Sequence, residues 1–155
     1  GKLFFLGNGG SAAEAQHIAT EFVVRFRRQR RALPVIALTT DTSVMTAIGN
    51  DFDFDQVFAR QVEALMGPGD LLVALSTSGS SPNILEAVKM ARQRGAKSVG
   101  FTGNRRGQLT ELVDVVLEAP SGDTQRIQEA HLLLWHIICD LVETTVVDQE
   151  QSNGK

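Results

Sequence analysis

Cysteine is almost absent from this chain, whose 155 residues contain only Cys139. A single cysteine excludes an intramolecular disulfide framework and a zinc site built from several thiolates. It also suits a reducing compartment, so we expect a cytoplasmic protein.

The chain also lacks a strong excess of one charge and a long apolar run. Its 15 Lys and Arg residues against 18 Asp and Glu residues give a formal net charge of −3. Such a balance offers no electrostatic attraction to nucleic acid or to an anionic membrane surface. No uninterrupted apolar segment approaches the ~18 residues that cross a bilayer, and no signal peptide is recognisable. We therefore expect neither nucleic acid nor membrane as a partner.

The composition is that of a globular domain, with 43% hydrophobic and 21% charged residues. No linker, internal repeat or low-complexity segment interrupts it. We predict one domain over residues 1–150, followed by a short C-terminal tail at 151–155.

Short apolar runs alternate with amphipathic segments along the chain. The predicted strands are Leu3–Leu6, Val35–Leu38, Leu71–Leu75, Ser98–Thr102 and Val115–Leu117. The predicted helices are Ser11–Arg27, Ser43–Ile48, Asp55–Leu65, Pro82–Arg94, Gln108–Leu112 and Asp123–Val147. Strands that are apolar on both faces are covered on both sides. The alternation of strands and helices predicts a three-layer α/β domain around a parallel, doubly wound sheet.

Several helix ends carry recognisable signals. Ser11 with Glu14 three residues later has the spacing of a capping box. Pro82 suits the first turn of a helix, and Gly95 suits a C-terminal cap. The arginine-rich stretch 25–31 is interpreted as the last, solvent-exposed turn of the first helix, which Pro34 then ends.

Two loops at strand ends are rich in small, hydrogen-bonding residues. The first is Gly7-Asn8-Gly9-Gly10-Ser11, and the second is Ser76-Thr77-Ser78-Gly79-Ser80-Ser81. Backbone N–H groups, hydroxyls and a following helix N-terminus together favour a bound phosphate, and the second loop is richer in hydroxyls. Neither loop has the Walker or the Gly-x-Gly-x-x-Gly spacing, which disfavours a nucleoside triphosphatase or a dinucleotide enzyme. Tight turns without a ligand remain the alternative for both loops.

A second group of candidates lies on the first and last helices. His17 and Glu21 are one turn apart and share a face, as does Arg25 one turn further on. Gln128 and His136 are about 80° apart around the last helix, so both can face one cleft. This set could hold a divalent ion such as zinc, or could transfer protons on a sugar. His131 is more simply explained as a hydrogen-bonded core residue.

Several strings in the chain resemble the phosphoheptose isomerases of the sugar isomerase (SIS) family. They are residues 7–13 (GNGGSAA), 15–21 (AQHIATE), 47–51 (AIGND), 76–81 (STSGSS) and 126–129 (RIQE). The resemblance runs from about residue 2 to residue 147. It implies a single SIS domain with a five-stranded, flavodoxin-like parallel sheet. It also implies a helical segment ahead of the first strand, which these 155 residues lack.

The resemblance further implies an activity. Sedoheptulose 7-phosphate would be converted through an enediol to D-glycero-D-manno-heptose 7-phosphate, the first step towards the ADP- and GDP-heptose precursors of bacterial surface polysaccharide such as lipopolysaccharide. The enzyme would be a cytoplasmic homotetramer with active sites between subunits and one Zn²⁺ per subunit.

The family's site residues carry over by position. Glu21 and His136 match the acid/base pair, and His17, Glu21, Gln128 and His136 match the zinc ligands. The positions that match substrate contacts are Asn8, Gly9, Gly10, Ser11, Glu21, Arg25, Asn50, Asp51, Ser76, Thr77, Ser78, Ser81 and Gln128.

Two other functions fit the same fold. One is a non-catalytic tetrameric scaffold that binds a replication initiator, and the other is a sugar-phosphate-sensing module. A scaffold would not need His17, Glu21, Gln128 and His136, and a sensor would need only the hydroxyl-rich loop. The presence of all four residues favours the enzyme.

Overall fold

A five-stranded parallel sheet forms the centre of the computed structural model, which describes residues 1–105 and 107–153. The strands are β1 Leu3–Gly7, β2 Val35–Ala37, β3 Leu71–Leu75, β4 Lys97–Thr102 and β5 Val115–Glu118. Their order is β2-β1-β3-β4-β5, and every neighbouring pair is parallel. The order reverses between β1 and β3, which is the doubly wound, flavodoxin-like topology that the sequence predicts.

Six helices surround the sheet in the described part of the chain. They are α1 Gly10–Val23, α2 Thr42–Asp51, α3 Ala59–Leu65, α4 Pro82–Gln93, α5 Leu109–Leu112 and α6 Thr124–Asn153, with a 3₁₀ turn at Phe54–Gln56. The predicted helix at Asp55–Leu65 is therefore two pieces, the 3₁₀ turn and α3. The other predicted helices are present, with ends shifted by at most six residues.

The core has two layers because β1 and β3 present large apolar side chains to both faces of the sheet. On one face, Phe4 and Leu72 pack against residues of α3 and α4. On the other, Phe5 and Val73 pack with α1 and with Trp135 of α6. The ring of Trp135 stacks on Phe101 at 4.7 Å between centroids. The predicted three layers are confirmed.

Both ends of α4 follow the sequence signals. Pro82 is in the first turn, and Gly95 has a φ of 74° just beyond the last turn. The N–H of Gly95 donates to Arg92 O at 3.1 Å, and the N–H of Ala96 donates to Ala91 O at 3.0 Å. This pair of bonds is a Schellman motif, which needs a left-handed residue where the glycine lies.

The predicted ends of α1 are wrong. The helix begins at Gly10 with no side-chain cap, so Ser11 lies inside the first turn and no capping box forms. The helix ends at Val23, so the arginine-rich stretch lies beyond it and Pro34 does not end it. The N–H groups of this stretch bind α6 instead, as described below.

Helix α6 runs to Asn153, past the predicted end at Val147. Against expectation, it is long and apolar enough to span a bilayer by length and composition alone. Its residues Ile127, His131, Trp135 and Cys139 are buried against the sheet. Packing in the domain accounts for only this one apolar face of α6, because 28% of its apolar 18-residue window is buried. Its outer face carries Leu133, Ile137 and Leu141, which are 63%, 50% and 63% exposed.

Candidate active site

The two polar loops meet at the carboxyl edge of the sheet. One follows β1 and the other follows β3, and these strands are neighbours in register. Asn8 in the first loop and Asn83 in the first turn of α4 exchange two side-chain hydrogen bonds, both of 2.9 Å. This amide pair ties the two loops together at the reversal of strand order, where open α/β sheets bind their ligands.

The hydroxyl-rich loop 76–81 folds around its own side chains. Ser76 Oγ accepts the N–H of Gly79 at 3.1 Å and lies 3.3 Å from Ser81 Oγ. Ser81 precedes α4, a twelve-residue helix. The hydroxyls of Ser76 and Ser81 thus lie together at the N-terminus of α4, whose positive end favours a bound phosphate.

Three side chains from α1 and α6 converge in the second half of α1. The Nε2 atoms of His17 and His136 are 3.1 Å apart, and His17 Nε2 is 3.6 Å from Glu21 Oε1. One turn of α1 separates His17 from Glu21. His136 is 119 positions from His17 in the sequence and lies near it because α6 packs on α1. Phe26 stacks on the ring of His136 at 5.6 Å between centroids.

The geometry of this trio fits a divalent metal. Its three ligand atoms lie within 4.8 Å of one another. Zinc bound by imidazole and carboxylate at ~2.1 Å in a tetrahedral site separates neighbouring ligand atoms by roughly 3.3 Å, close to the two separations seen here. Imidazole nitrogens and a carboxylate are also ligands that zinc accepts. The donor set therefore matches a three-residue metal site.

Gln128 shares a cavity with His17, one member of this trio. It lines a cavity of about 450 Å³ together with Gly10, Glu14 and His17. Its amide packs so closely on Gly10 that a Cβ at residue 10 would lie 2.4 Å from Gln128 Nε2. The absence of a side chain at Gly10 is therefore what lets Gln128 approach the start of α1.

Glu14 is an unusual member of this cavity. The residue is only 8% exposed, and neither carboxylate oxygen has a hydrogen-bond partner among the described residues. Burial raises the pKa of the Glu14 carboxyl to about 8. Glu14 is thus a neutral carboxylic acid over much of the physiological pH range, rather than the capping residue that the sequence predicts.

Three residues with predicted roles lie outside the trio. Arg25 is exposed beyond the end of α1, so it does not share a helical face with Glu21 as expected. Asn50 and Asp51 are exposed at the end of α2, where Asn50 Nδ2 donates to Asp51 Oδ1 at 2.8 Å. Among the described residues, no hydrogen bond or ion pair joins these three to His17, Glu21 or His136. His131, by contrast, is buried and hydrogen-bonded to Thr102 O, as expected of a core histidine.

Sequence reasoning missed Asn83 and Phe26. Asn83 is 2% exposed although it follows a proline at the start of a helix, where polar residues usually face solvent. Its position directly after the hydroxyl-rich loop is the one signal that could have identified it. Nothing local marks Phe26, because its partner His136 is distant in sequence.

Comparison with known proteins identifies the family of this chain. The SIS domain profile matches residues 1–103. A phosphoheptose isomerase from Burkholderia pseudomallei is 57% identical over 150 residues, which are 97% of this chain and 76% of that protein. The chain belongs to the phosphoheptose isomerase family of SIS-domain proteins.

Solved structures of the phosphoheptose isomerase family share the fold. GmhA from Neisseria gonorrhoeae superposes with a TM-score of 0.88 at 48% identity, over 93% of this chain and 77% of that one. The phosphoheptose isomerase from Francisella tularensis gives a TM-score of 0.90 at 40% identity, over the same shares of the two chains. The implied SIS fold is confirmed.

Proposed function

We propose that this chain interconverts sedoheptulose 7-phosphate and D-glycero-D-manno-heptose 7-phosphate. The observation that carries the proposal is the convergence of His17, Glu21 and His136 in a member of the phosphoheptose isomerase family, whose hydroxyl-rich loop lies at the carboxyl edge of the sheet. An aldose–ketose isomerisation needs an acid, a base and a phosphate anchor within one sugar's length. The trio offers the acid and the base, and the loop 76–81 offers the anchor.

The phosphate is bound by the loop 76–81. Hydroxyls of Ser76, Ser78 and Ser81 and backbone N–H groups of the loop donate to its oxygens, and the positive end of α4 adds to the attraction. Asn8, Gly9, Gly10, Ser11 and Thr77 complete the binding site, as do Arg25, Asn50, Asp51 and Gln128. The Asn8–Asn83 pair holds the two loops at a fixed separation.

Glu21 and His136 transfer the protons. In the direction of aldose formation, Glu21 removes a proton from C1 while His136 donates one to the carbonyl oxygen at C2, which gives the enediol. Glu21 then returns the proton to C2, and His136 takes the proton from the hydroxyl at C1. Imidazole suits both roles because its two ring nitrogens can each donate or accept a proton.

One Zn²⁺ per subunit would be held by His17, Glu21, Gln128 and His136. When bound, such an ion orients the sugar oxygens and polarises the carbonyl. A carboxylate has two oxygens, so Glu21 can offer one to the ion and keep the other as the proton acceptor. The amide of Gln128 is a weaker ligand than imidazole, so we expect the ion to be removable by chelators.

The enzyme is proposed to be a cytoplasmic homotetramer with active sites between subunits that supplies heptose for bacterial surface polysaccharide such as lipopolysaccharide. The apolar outer face of α6 supports association with further copies, because single domains seldom expose several large apolar side chains together. The exposed positions of Arg25, Asn50 and Asp51 support the same assembly, since residues of a shared site can complete it from different subunits.

An isomerase assay with sedoheptulose 7-phosphate, with and without a chelator, tests the proposal. We expect turnover that the chelator lowers and added Zn²⁺ restores. A sensing module would bind the sugar phosphate without converting it, and a non-catalytic scaffold would do neither. Either result in metal-loaded protein would overturn the proposed function.

A further inference from the structure

A buried ion pair joins the segment after α1 to α6. The side chains of Arg30 and Glu143 are each 1% exposed, and Arg30 Nε lies 3.3 Å from Glu143 Oε1. A buried ion pair adds little net stability compared with apolar residues of similar volume, because both charges lose their hydration. Stability alone is therefore a poor explanation for this pair.

Arg30 binds the end of the helix that carries the proposed base. Its Nη2 donates to the carbonyl oxygen of Glu21 at 2.7 Å, and its Nη1 donates to that of Phe22 at 2.8 Å. These carbonyls belong to the last turn of α1, where helices leave such groups without intrahelical partners. The guanidinium of Arg30 thus supplies a hydrogen-bond donor to the carbonyl of Glu21, which lacks an intrahelical donor at this helix end.

Glu143 binds the segment that leads away from this helix end. Its carboxylate accepts the N–H groups of Phe26, Arg27 and Arg28 at 2.8–2.9 Å. Burial raises the pKa of this carboxyl, but the three N–H donors and the charge of Arg30 outweigh it, so the pKa lies below its ordinary value. Glu143 is therefore ionised, and it holds in place the residue whose ring stacks on His136.

We propose that Arg30 and Glu143 are positioning residues for the isomerisation. Arg30 sets the end of α1 at Glu21, and Glu143 sets Phe26 against His136, so one ion pair fixes the proposed base and acid relative to each other. The inference rests on the proposed function, because it assigns the proton transfers to Glu21 and His136. Neither residue of the pair touches the substrate.

Arg30→Lys and Glu143→Gln test this role, and the chain provides matched controls. Arg31 and Glu150 form an exposed pair, 3.5 Å apart, between the same segment and the same helix. Arg31→Lys and Glu150→Gln therefore make the same chemical changes without altering the buried contacts. Each variant is assayed with sedoheptulose 7-phosphate at a temperature where circular dichroism shows it fully folded.

We expect kcat to fall about 10- to 100-fold in Arg30→Lys and Glu143→Gln, as a displacement of ~1 Å at reacting groups produces. KM should change less than about threefold, because the phosphate loop belongs to other elements, and both controls should match the wild type. A merely structural pair would lower the melting temperature and leave kcat of the folded protein unchanged.

Three results would overturn the inference. Folded Arg30→Lys and Glu143→Gln with wild-type kcat would remove the positioning role and leave the proposed function intact. If both variants were unfolded under every condition in which the wild type is active, the ion pair would serve folding alone. A metal-loaded wild type without isomerase activity would overturn the proposed function, and this inference with it.

Discussion

Glu14 and Glu21 lie two turns apart on α1 and have different environments. Glu21 is beside an imidazole and partly open to solvent, whereas Glu14 is buried without a partner. Desolvation disfavours the charged form of a carboxyl, and Glu14 has no hydrogen bond to compensate for it. Glu14 therefore keeps its proton near neutral pH and is not placed to act as a base.

Glu14 makes folding stability depend on pH. The pKa of Glu14 is about 8 in the folded chain against 4.5 for an ordinary glutamate. Between these values the folded chain keeps a proton that the unfolded chain loses, so the free energy of unfolding falls as pH rises. The slope from this group is at most about 1.4 kcal/mol per pH unit.

Glu14→Gln should remove that slope, because its amide stays neutral throughout. Urea unfolding at pH 5, 6, 7 and 8 measures the effect, and we expect the variant to gain stability relative to wild type as pH rises. Glu86→Gln, on the surface of α4, is the control. Parallel curves for wild type and Glu14→Gln would contradict the assignment.

Ser81→Ala tests the phosphate site. Removing this hydroxyl should raise KM for sedoheptulose 7-phosphate much more than it lowers kcat, because the phosphate is held equally in the ground state and the transition state. Steady-state kinetics measures both constants. A KM equal to that of the wild type would place the phosphate away from the loop 76–81.

Much of the proposed site could be predicted at the level of single residues. The spacing of His17 and Glu21 shows from sequence that they share a helix face, and Ser76–Ser81 stand out by composition. The distance between His17 and His136 could not be derived, because it depends on how α6 packs on α1. The protonation state of Glu14 could not be predicted either, because the packing of both helices determines its burial.

At the scale of elements, the start of α1 packs closely on the side chain of Gln128 from α6. An alanine Cβ at residue 10 would lie 2.4 Å from Gln128 Nε2, the movable end of a flexible side chain. We therefore expect Gly10→Ala to displace Gln128 at little cost in stability, and to weaken zinc binding about tenfold or more, as loss of a supporting contact does.

Zinc titration with a competing chromophoric chelator measures this affinity, and thermal melts measure stability. Gly67→Ala is the control, because a Cβ there would meet nothing within 4 Å. If Gly10→Ala bound zinc as tightly as Gly67→Ala, Gln128 would not be a ligand in this chain.

The strands were predictable to within one residue at each end, because apolar runs bounded by loop residues are strong local signals. The end of α1 was not predicted correctly. Residues 24–31 contain good helix formers, yet Glu143 accepts three of their N–H groups from α6. That long-range contact overrides local propensity, and no window around residue 25 contains it.

At the scale of the whole molecule, the outer face of α6 should be an interface between copies of this chain. Leu133 and Leu141 are two turns apart and both are 63% exposed. A double variant, Leu133→Glu with Leu141→Glu, should dissociate the proposed tetramer while circular dichroism stays unchanged, because neither side chain is in the core. Sedimentation velocity measures the assembly, and an unaltered tetramer would place the interface elsewhere.

The most direct test of the account is the turnover of Glu21→Gln in metal-loaded protein. The amide keeps the size of the side chain but cannot accept the proton from the sugar, so kcat for sedoheptulose 7-phosphate should fall about 10²- to 10⁴-fold. Binding of inorganic phosphate should persist, and Glu86→Gln should match the wild type. Near-normal turnover by folded, metal-loaded Glu21→Gln would contradict the account, because the base would then have to be another residue.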